Sequence, residues 1–305
     1  MNRKSAPRAS VVIPAYHSSS TIADCLDGLR GQTFRDFELI VVNSSQESET
    51  ERIVRALYPE ARFVQSPTRL LPHAARNLAL QQARGELLVF TDPDCVASRD
   101  WLSCLATASD SGDGAIVGAM GLGRRAWWEA GVHLCKFHGL LPGLRPGVKR
   151  CAPTANAAYS RELWKDIGPF PGHLFAGDGI VSWRAAKCGQ PPRFLPDAIV
   201  LHRHLEGFSG FCRQRFQRGR DFAVAQTELM DPPGVITWLR LLFSWAAIGW
   251  VLGRAALDAL RAGWGLAFFL TLPIQVVGHE LWAVGETWGA ARLLTRRLVE
   301  SGSIR

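Results

Sequence analysis

Two carboxylates two residues apart, Asp92 and Asp94, close the apolar run Glu86–Thr91, and Pro93 stiffens the turn between them. A strand end fixes both side chains at the mouth of a sheet. There they can hold a divalent cation through oxygen ligands and leave sites open for phosphate oxygens. Taken alone, the same tripeptide reads equally well as an Asp-rich turn, with Asp94 or a later residue as a helix N-cap. A second stretch able to do chemistry is FCRQRFQRGRDF, residues 211–222, which sets Arg213, Arg215, Arg218 and Arg220 just ahead of a long apolar segment. Guanidinium groups there suit phosphates or anionic head groups; the alternative is a solvated amphipathic helix.

The elements that must position these groups alternate strand and helix signals over the first hundred residues. Ser10–Pro14 is a short β-branched run ended by proline. Ser18, Ser19 and Ser20 offer N-caps to a helix carrying Ile22, Leu26 and Leu29 at helical spacing. A second strand, FELIVV from Phe37, precedes a helix with Ile53, Val54 and Leu57, and a weaker strand at 62–65 precedes a helix from about Pro72 to Arg84. The pattern implies βαβ units in a mostly parallel, doubly wound α/β sheet, which binds ligands beyond the carboxyl ends of its strands. The segments after Pro14, Val42 and Thr91 are therefore where a site is expected. Further on, a strand at 156–159, a helix from about Gly177 to Cys188 and a strand near 198–202 are expected.

SVVIPAYH, FELIVVNSS, AARNLALQQARGELLVFTDPDC and TANAAYSRELWKDIGPFPGHLFAGDGIVSWRAAKCG occur in that order. With these blocks, residues 9–220 resemble the family 2 glycosyltransferases, whose A-type fold joins a nucleotide-binding α/β half to an acceptor-binding half. The resemblance implies inverting, metal-dependent transfer of a sugar from a nucleotide-sugar donor to an acceptor hydroxyl on a glycan or lipid-linked cell-envelope molecule, with Mg²⁺ or Mn²⁺ as the cofactor. It implies that Pro14, Ala15, Tyr16, Asn43, Arg76 and Asp92 bind the nucleotide sugar, that Asp92, Asp94 and His202 hold the metal (His204 being the competing histidine), and that Gln214, Arg215 and Arg218 face the acceptor. It assigns the catalytic base to Asp178, where family members have the second residue of a Glu-Asp pair at a helix start. Its bland reading is an N-cap, which would also orient it.

Two departures stand out. Asn43-Ser44-Ser45-Gln46 replaces the usual Asp-Asp-Gly-Ser and leaves nucleotide preference open, and Gly177 replaces the glutamate beside Asp178. The rival reading is a non-catalytic sugar-nucleotide-binding or scaffold protein on the same fold. A nucleotidyltransferase would need a Gly-rich basic loop near the first strand, and VVIPAYHSSS is not one.

The net charge is +8, and from residue 201 onward there are 12 Arg and no Lys against 8 acidic residues. The tryptophans of that region sit inside apolar runs rather than among the arginines, which disfavours nucleic acid and points to a membrane surface. Residues 235–252, with Arg240 as the one charge, reach the minimum length for a span; residues 263–285 are interrupted by Pro273, Gln275, His279 and Glu280. Two spans are expected, with a pair of interfacial helices or an oligomerisation hairpin as alternatives. Seven cysteines, scattered and without a C-x-x-C pair, indicate neither a zinc site nor a disulfide framework. Met1–Ser10 lacks the pattern of a signal peptide. The expected organisation is a nucleotide-sugar-binding half over 1–110, an acceptor-binding half over 111–230 and a hydrophobic membrane-associated helical tail over 231–305, at the cytoplasmic face of the cell membrane.

Overall fold

The apolar runs ending near Pro14, Val42 and Thr91 become parallel neighbours because each is buried on both faces and needs helices on either side. The computed structural model describes residues 6–124, 126–229 and 235–302; the first four residues of the expected tail, 231–234, lie outside them. Strands β1 (Ala9–Ala15), β2 (Phe37–Asn43), β3 (Arg62–Gln65) and β4 (Leu87–Thr91) alternate with helices α1 (Ile22–Arg30), α2 (Glu49–Leu57) and α3 (Pro72–Leu80). There follow β5 (Cys95–Ala97), α4 (Trp101–Asp110), β6 (Ala115–Leu122), α5 (Trp127–Phe137), β7 (Gly147–Val148), β8 (Asn156–Ser160), α6 (Arg161–Ile167), α7 (Gly177–Lys187) and β9 (Arg193–His202). Helices α8 (Phe208–Val224), α9 (Val235–Leu242), α10 (Ile248–Arg261), α11 (Gly265–Leu270) and α12 (Leu272–Gly302) complete the chain.

The chain forms two compact units, one of residues 1–123 and 140–203, the other of 124–139 and 204–305. The first unit carries the sheet, in the order β3-β2-β1-β4-β8-β6-β9-β5, with β7 beside β9. Strands β3, β2, β1 and β4 are parallel, as expected. The other half is mixed, which corrects the mostly parallel expectation: β8 runs antiparallel to both β4 and β6, and β5 antiparallel to β9. A buried asparagine supports the junction. Asn156 donates to the carbonyls of Ala119 and Ala198 and accepts from Trp101 Nε1 at 2.8 Å, so β8, β6, β9 and α4 share one satisfied polar centre. Gly118 is required there, since a Cβ would lie 2.2 Å from the Ala198 carbonyl oxygen.

The second unit is helical, and the expected membrane-spanning tail is not found. The run from Val235 breaks after Leu242 and restarts at Ile248, and the run from Gly263 breaks at Thr271. No helix among the described residues is long and apolar enough to cross a membrane. Helices α5 and α8 belong to the same unit, in which α8 packs along α12 through glycines. A Cβ at Gly219 would sit 2.1 Å from the Trp282 carbonyl oxygen, and one at Gly285 2.2 Å from that of Phe216. Val132, Cys135, Phe211 and Ile274 form an apolar cluster between α5, α8 and α12.

Burial, with the charges of Arg215 and His138 nearby, pushes the His279 pKa down to about 3. Its unfolded value is near 6.5, so as pH falls below that the unfolded chain gains a proton that the folded chain refuses until about pH 3. Stability should fall in this window by up to about tenfold in the folding constant per pH unit. Denaturant titrations at stepped pH are expected to show this slope in the wild type and a shallower one in His279→Leu.

Candidate active site

Each strand end of the parallel half delivers one part of a site. At β1, Pro14 and Ala15 are buried and Tyr16 is exposed. Ser18 does not cap α1, whose N-cap is Thr21; its hydroxyl instead accepts the Tyr16 N–H at 3.0 Å and holds the loop. The Arg69 guanidinium lies 4.5 Å over the Tyr16 ring, making an exposed aromatic–cation pair. At β2, Asn43 is fully buried. It donates to the Ser45 carbonyl and to Gln65 Oε1 and accepts from the Ser45 N–H and hydroxyl, so its amide organises the 43–46 loop.

At β4 the two carboxylates part company. Asp92 accepts from the guanidinium of Arg76, a buried side chain one helical turn along α3 from His73. Arg76 is thus held at the strand mouth rather than solvated. Asp94 is not a helix cap: β5 begins at the next residue, and the N-cap of α4 is Asp100. The antiparallel register pairs Cys95 with His202, which brings His202 Nε2 to 3.9 Å from Asp94 Oδ2. The ligand atoms of Asp94, Cys95 and His202 all lie within 4.8 Å of one another. Burial, together with the charges of Asp94 and Asp92, pushes the Cys95 thiol up, which leaves the carboxylate as a hard donor and the imidazole as a borderline one. Such a set can take a divalent cation. The competing histidine, His204, belongs to the helical unit, where it meets His133 Nδ1 at 3.1 Å.

Helix α7 begins at Gly177, where the sequence places its start, with Ala176 as its N-cap. Asp178 therefore stands in the first turn, nine-tenths buried, with its carboxylate accepting the Gly179 N–H at 2.9 Å. The helix N-terminus favours its charged form. Ser182 donates to the Asp178 carbonyl, accepts the Ala152 N–H and lies 3.3 Å from the Tyr159 hydroxyl, tying this turn to β8.

Gly177 has a physical reason. A Cβ there would lie 2.7 Å from Cδ2 of His73, whose ring is buried and stacked on Phe170 with centroids 4.8 Å apart. His73 fills the space that even the first side-chain carbon of a glutamate would need. It escaped sequence reasoning, although its position three residues before Arg76 on one helix was a usable signal. Gly177→Glu is expected to cost about 1–3 kcal/mol through overpacking, read as a lowered urea midpoint, with most of the loss recovered by adding His73→Ser.

The acceptor-side candidates lie on α8 in the helical unit. Arg215 is buried, donates from Nε to the Gly278 carbonyl at 3.0 Å and stacks 4.6 Å over the Trp282 ring. Gln214 and Arg218 are half-buried. Close by in the same unit, Lys136 pairs with Glu206, whose carbonyl accepts Trp128 Nε1. Burial acts to raise the Glu206 pKa, but the His204 hydrogen bond and the Lys136 charge outweigh it and hold it well below the usual carboxylate range.

The model of the family described as Glycosyl transferase family 2 matches residues 10–168. Glycosyltransferase AglE of Haloferax volcanii is 26% identical over 291 residues, 92% of this chain and 87% of that protein. A GalNAc(5)-diNAcBac-PP-undecaprenol beta-1,3-glucosyltransferase of Campylobacter jejuni is 25% identical over 116 residues, 37% of this chain and 38% of that protein. In fold, the chain is similar to the mannosyltransferase PcManGT from Pyrobaculum calidifontis, solved in complex with GDP-Man and Mn²⁺. The TM-score is 0.59 at 22% identity, covering 88% of this chain and 86% of that one.

Proposed function

The chain belongs to glycosyl transferase family 2, and from that premise we propose that it moves a sugar from a nucleotide-sugar donor to an acceptor hydroxyl by a single, inverting displacement. One chain of contacts carries this reading. Asp178 begins the helix whose Gly177 packs on His73; one turn further along α3, Arg76 pairs with Asp92; and two residues beyond, Asp94 faces His202. A general base, a cation for a diphosphate and a donor set for a divalent ion are thereby linked through a single rigid helix.

Asp178 accepts the proton of the acceptor hydroxyl as that oxygen attacks the anomeric carbon. The bond from that carbon to the diphosphate breaks on the opposite face, and the electron pair leaves with the nucleoside diphosphate. Arg76 holds Asp92 in place and adds positive charge where the diphosphate lies. Asp94 and His202, with Asp92, would hold a Mg²⁺ or Mn²⁺ ion, which when bound supplies neutralisation of the leaving diphosphate. Pro14 and Ala15 floor the nucleotide pocket, Tyr16 with Arg69 offers a face to the base, and Asn43 shapes the pocket wall through its loop. The GDP-Man and Mn²⁺ of the structural neighbour support a nucleotide-sugar donor and a divalent ion.

The acceptor is a glycan or lipid-linked molecule met at the cytoplasmic face of the membrane. The undecaprenol-linked substrate in the name of the Campylobacter relative supports that class, as does the basic α8 with Gln214, Arg215 and Arg218. The test is turnover of a panel of sugar nucleotides with Mn²⁺ or Mg²⁺, with and without membrane extract as the acceptor source. Metal-dependent consumption of one donor is expected. Donor binding without turnover under every acceptor condition would make the chain a binding protein instead.

A further inference from the structure

One helix of the second unit, α10, carries large apolar groups on its outer side. Along α10 the residues facing inward are small, with Ala255 and Ala259 fully buried, while Trp250, Leu257 and Leu260 recur at helical spacing on the outside, each more than half exposed. A left-handed turn at Gly263, with φ of 78°, leads into α11, which buries Phe268 and leaves Leu266 and Phe269 at 75% and 60% exposure. A helix folding in water places its large apolar groups inward, so an outward apolar stripe marks a surface made for a partner.

Charge identifies the partner. Between residues 235 and 270 the charged residues are Arg240, Arg254, Asp258 and Arg261. Asp258 faces His138 Nδ1 at 3.0 Å inside the unit, and its other oxygen lies 3.9 Å from the exposed Arg261 guanidinium. Arg254 is exposed and lies 5.0 Å over the Trp250 ring, beside the apolar stripe. Two copies of such a face would set arginine against arginine, whereas anionic head groups complement it. Tryptophan and arginine around an apolar stripe are the composition of a helix lying in the head-group layer. With 14 residues, α10 extends about 21 Å at 1.5 Å per residue, short of the roughly 30 Å of a hydrocarbon core.

We propose that α10 and α11 form a one-sided attachment surface that lies in the plane of an anionic lipid bilayer, with Trp250, Leu257, Leu260, Leu266 and Phe269 inserted among the acyl chains and Arg254 and Arg261 at the phosphates. This refines the membrane-face reading above and is independent of the transfer chemistry, because its test needs no donor. The purified 305-residue chain is floated with vesicles of phosphatidylcholine alone or mixed with phosphatidylglycerol. It should rise with the mixed vesicles and far less with the neutral ones. Leu257→Ser and Leu266→Ser should each weaken partition about tenfold, and both sites are exposed enough for the variants to fold, as circular dichroism would verify. Lipids brominated near the head group should quench tryptophan emission in the wild type and less in Trp250→Ser. Three results would overturn the assignment: failure to float with either vesicle, strongest quenching by bromine at the bilayer centre, or a stable dimer in solution that does not float.

Discussion

Replacing Asp178 with asparagine is expected to lower turnover by about 10²- to 10⁴-fold, the usual contribution of a positioned general base, while leaving donor and metal affinity close to wild type. The substitution is nearly isosteric. The side-chain oxygen that accepts the Gly179 N–H remains, as does the backbone carbonyl that accepts from Ser182, so the first turn of α7 should keep its geometry. What asparagine cannot do is take a proton at neutral pH. Donor binding measured by calorimetry alongside single-turnover rates separates the two roles. A variant that binds donor normally but transfers slowly supports the base. A variant that loses donor affinity in parallel with rate, or that unfolds at lower denaturant, would reduce Asp178 to a structural residue of the first turn. A fall in rate of less than about tenfold would remove it from the chemistry altogether.

The parallel half of the fold was legible because its signals are local: β-branched runs stopped by Pro14 and by the Asp92–Asp94 turn, each followed by a helix of clear period. The mixed half was not. A five-residue strand such as Asn156–Ser160 carries no mark of its direction, which is set here by insertion between β4 and β6 and by the hydrogen bonds of Asn156. The site shows the same division. Asp92 and Asp94 announced themselves by their place at a strand end. Their partners depended on tertiary contact: Arg76 could have been a solvated helix residue, and His202 could not be separated from His204 until strand register placed one beside Asp94 and folding placed the other beside His133. Gly177 looked like a loss until His73 was found in the space next to it. The apolar segments after residue 234 were misread as spans because hydropathy counts residues without asking where a helix ends. Breaks at Phe243 and Thr271 divide them into pieces that bury Leu241 and Phe268 and leave Trp250, Leu257, Leu260, Leu266 and Phe269 exposed.

Asp94→Ala should be the other substitution with a very large effect, lowering metal-dependent turnover by about three orders of magnitude, equivalent to several kcal/mol of charge stabilisation. Strand register places the two ligands. Because β5 pairs antiparallel with β9 and sets Cys95 opposite His202, the carboxylate just before β5 and the imidazole at the end of β9 meet at 3.9 Å without any loop having to order itself. Alanine removes the only carboxylate of that cluster and leaves His202 beside the protonated Cys95 thiol, a poor set for a hard cation. Asp92 alone does not make up the loss, since the Arg76 guanidinium occupies one of its two oxygens and leaves it a single oxygen for the ion. His202→Asn should cost less, because Asp94 remains and an amide oxygen can still coordinate. The direct measurement is Mn²⁺ affinity followed by electron paramagnetic resonance in the presence of the nucleoside diphosphate. Asp94→Ala should abolish high-affinity binding while Asp178→Asn retains it. Equal Mn²⁺ affinity in the wild type and Asp94→Ala would mean that the ion, where it is needed at all, is held elsewhere, and that Asp94 faces His202 for structural reasons alone.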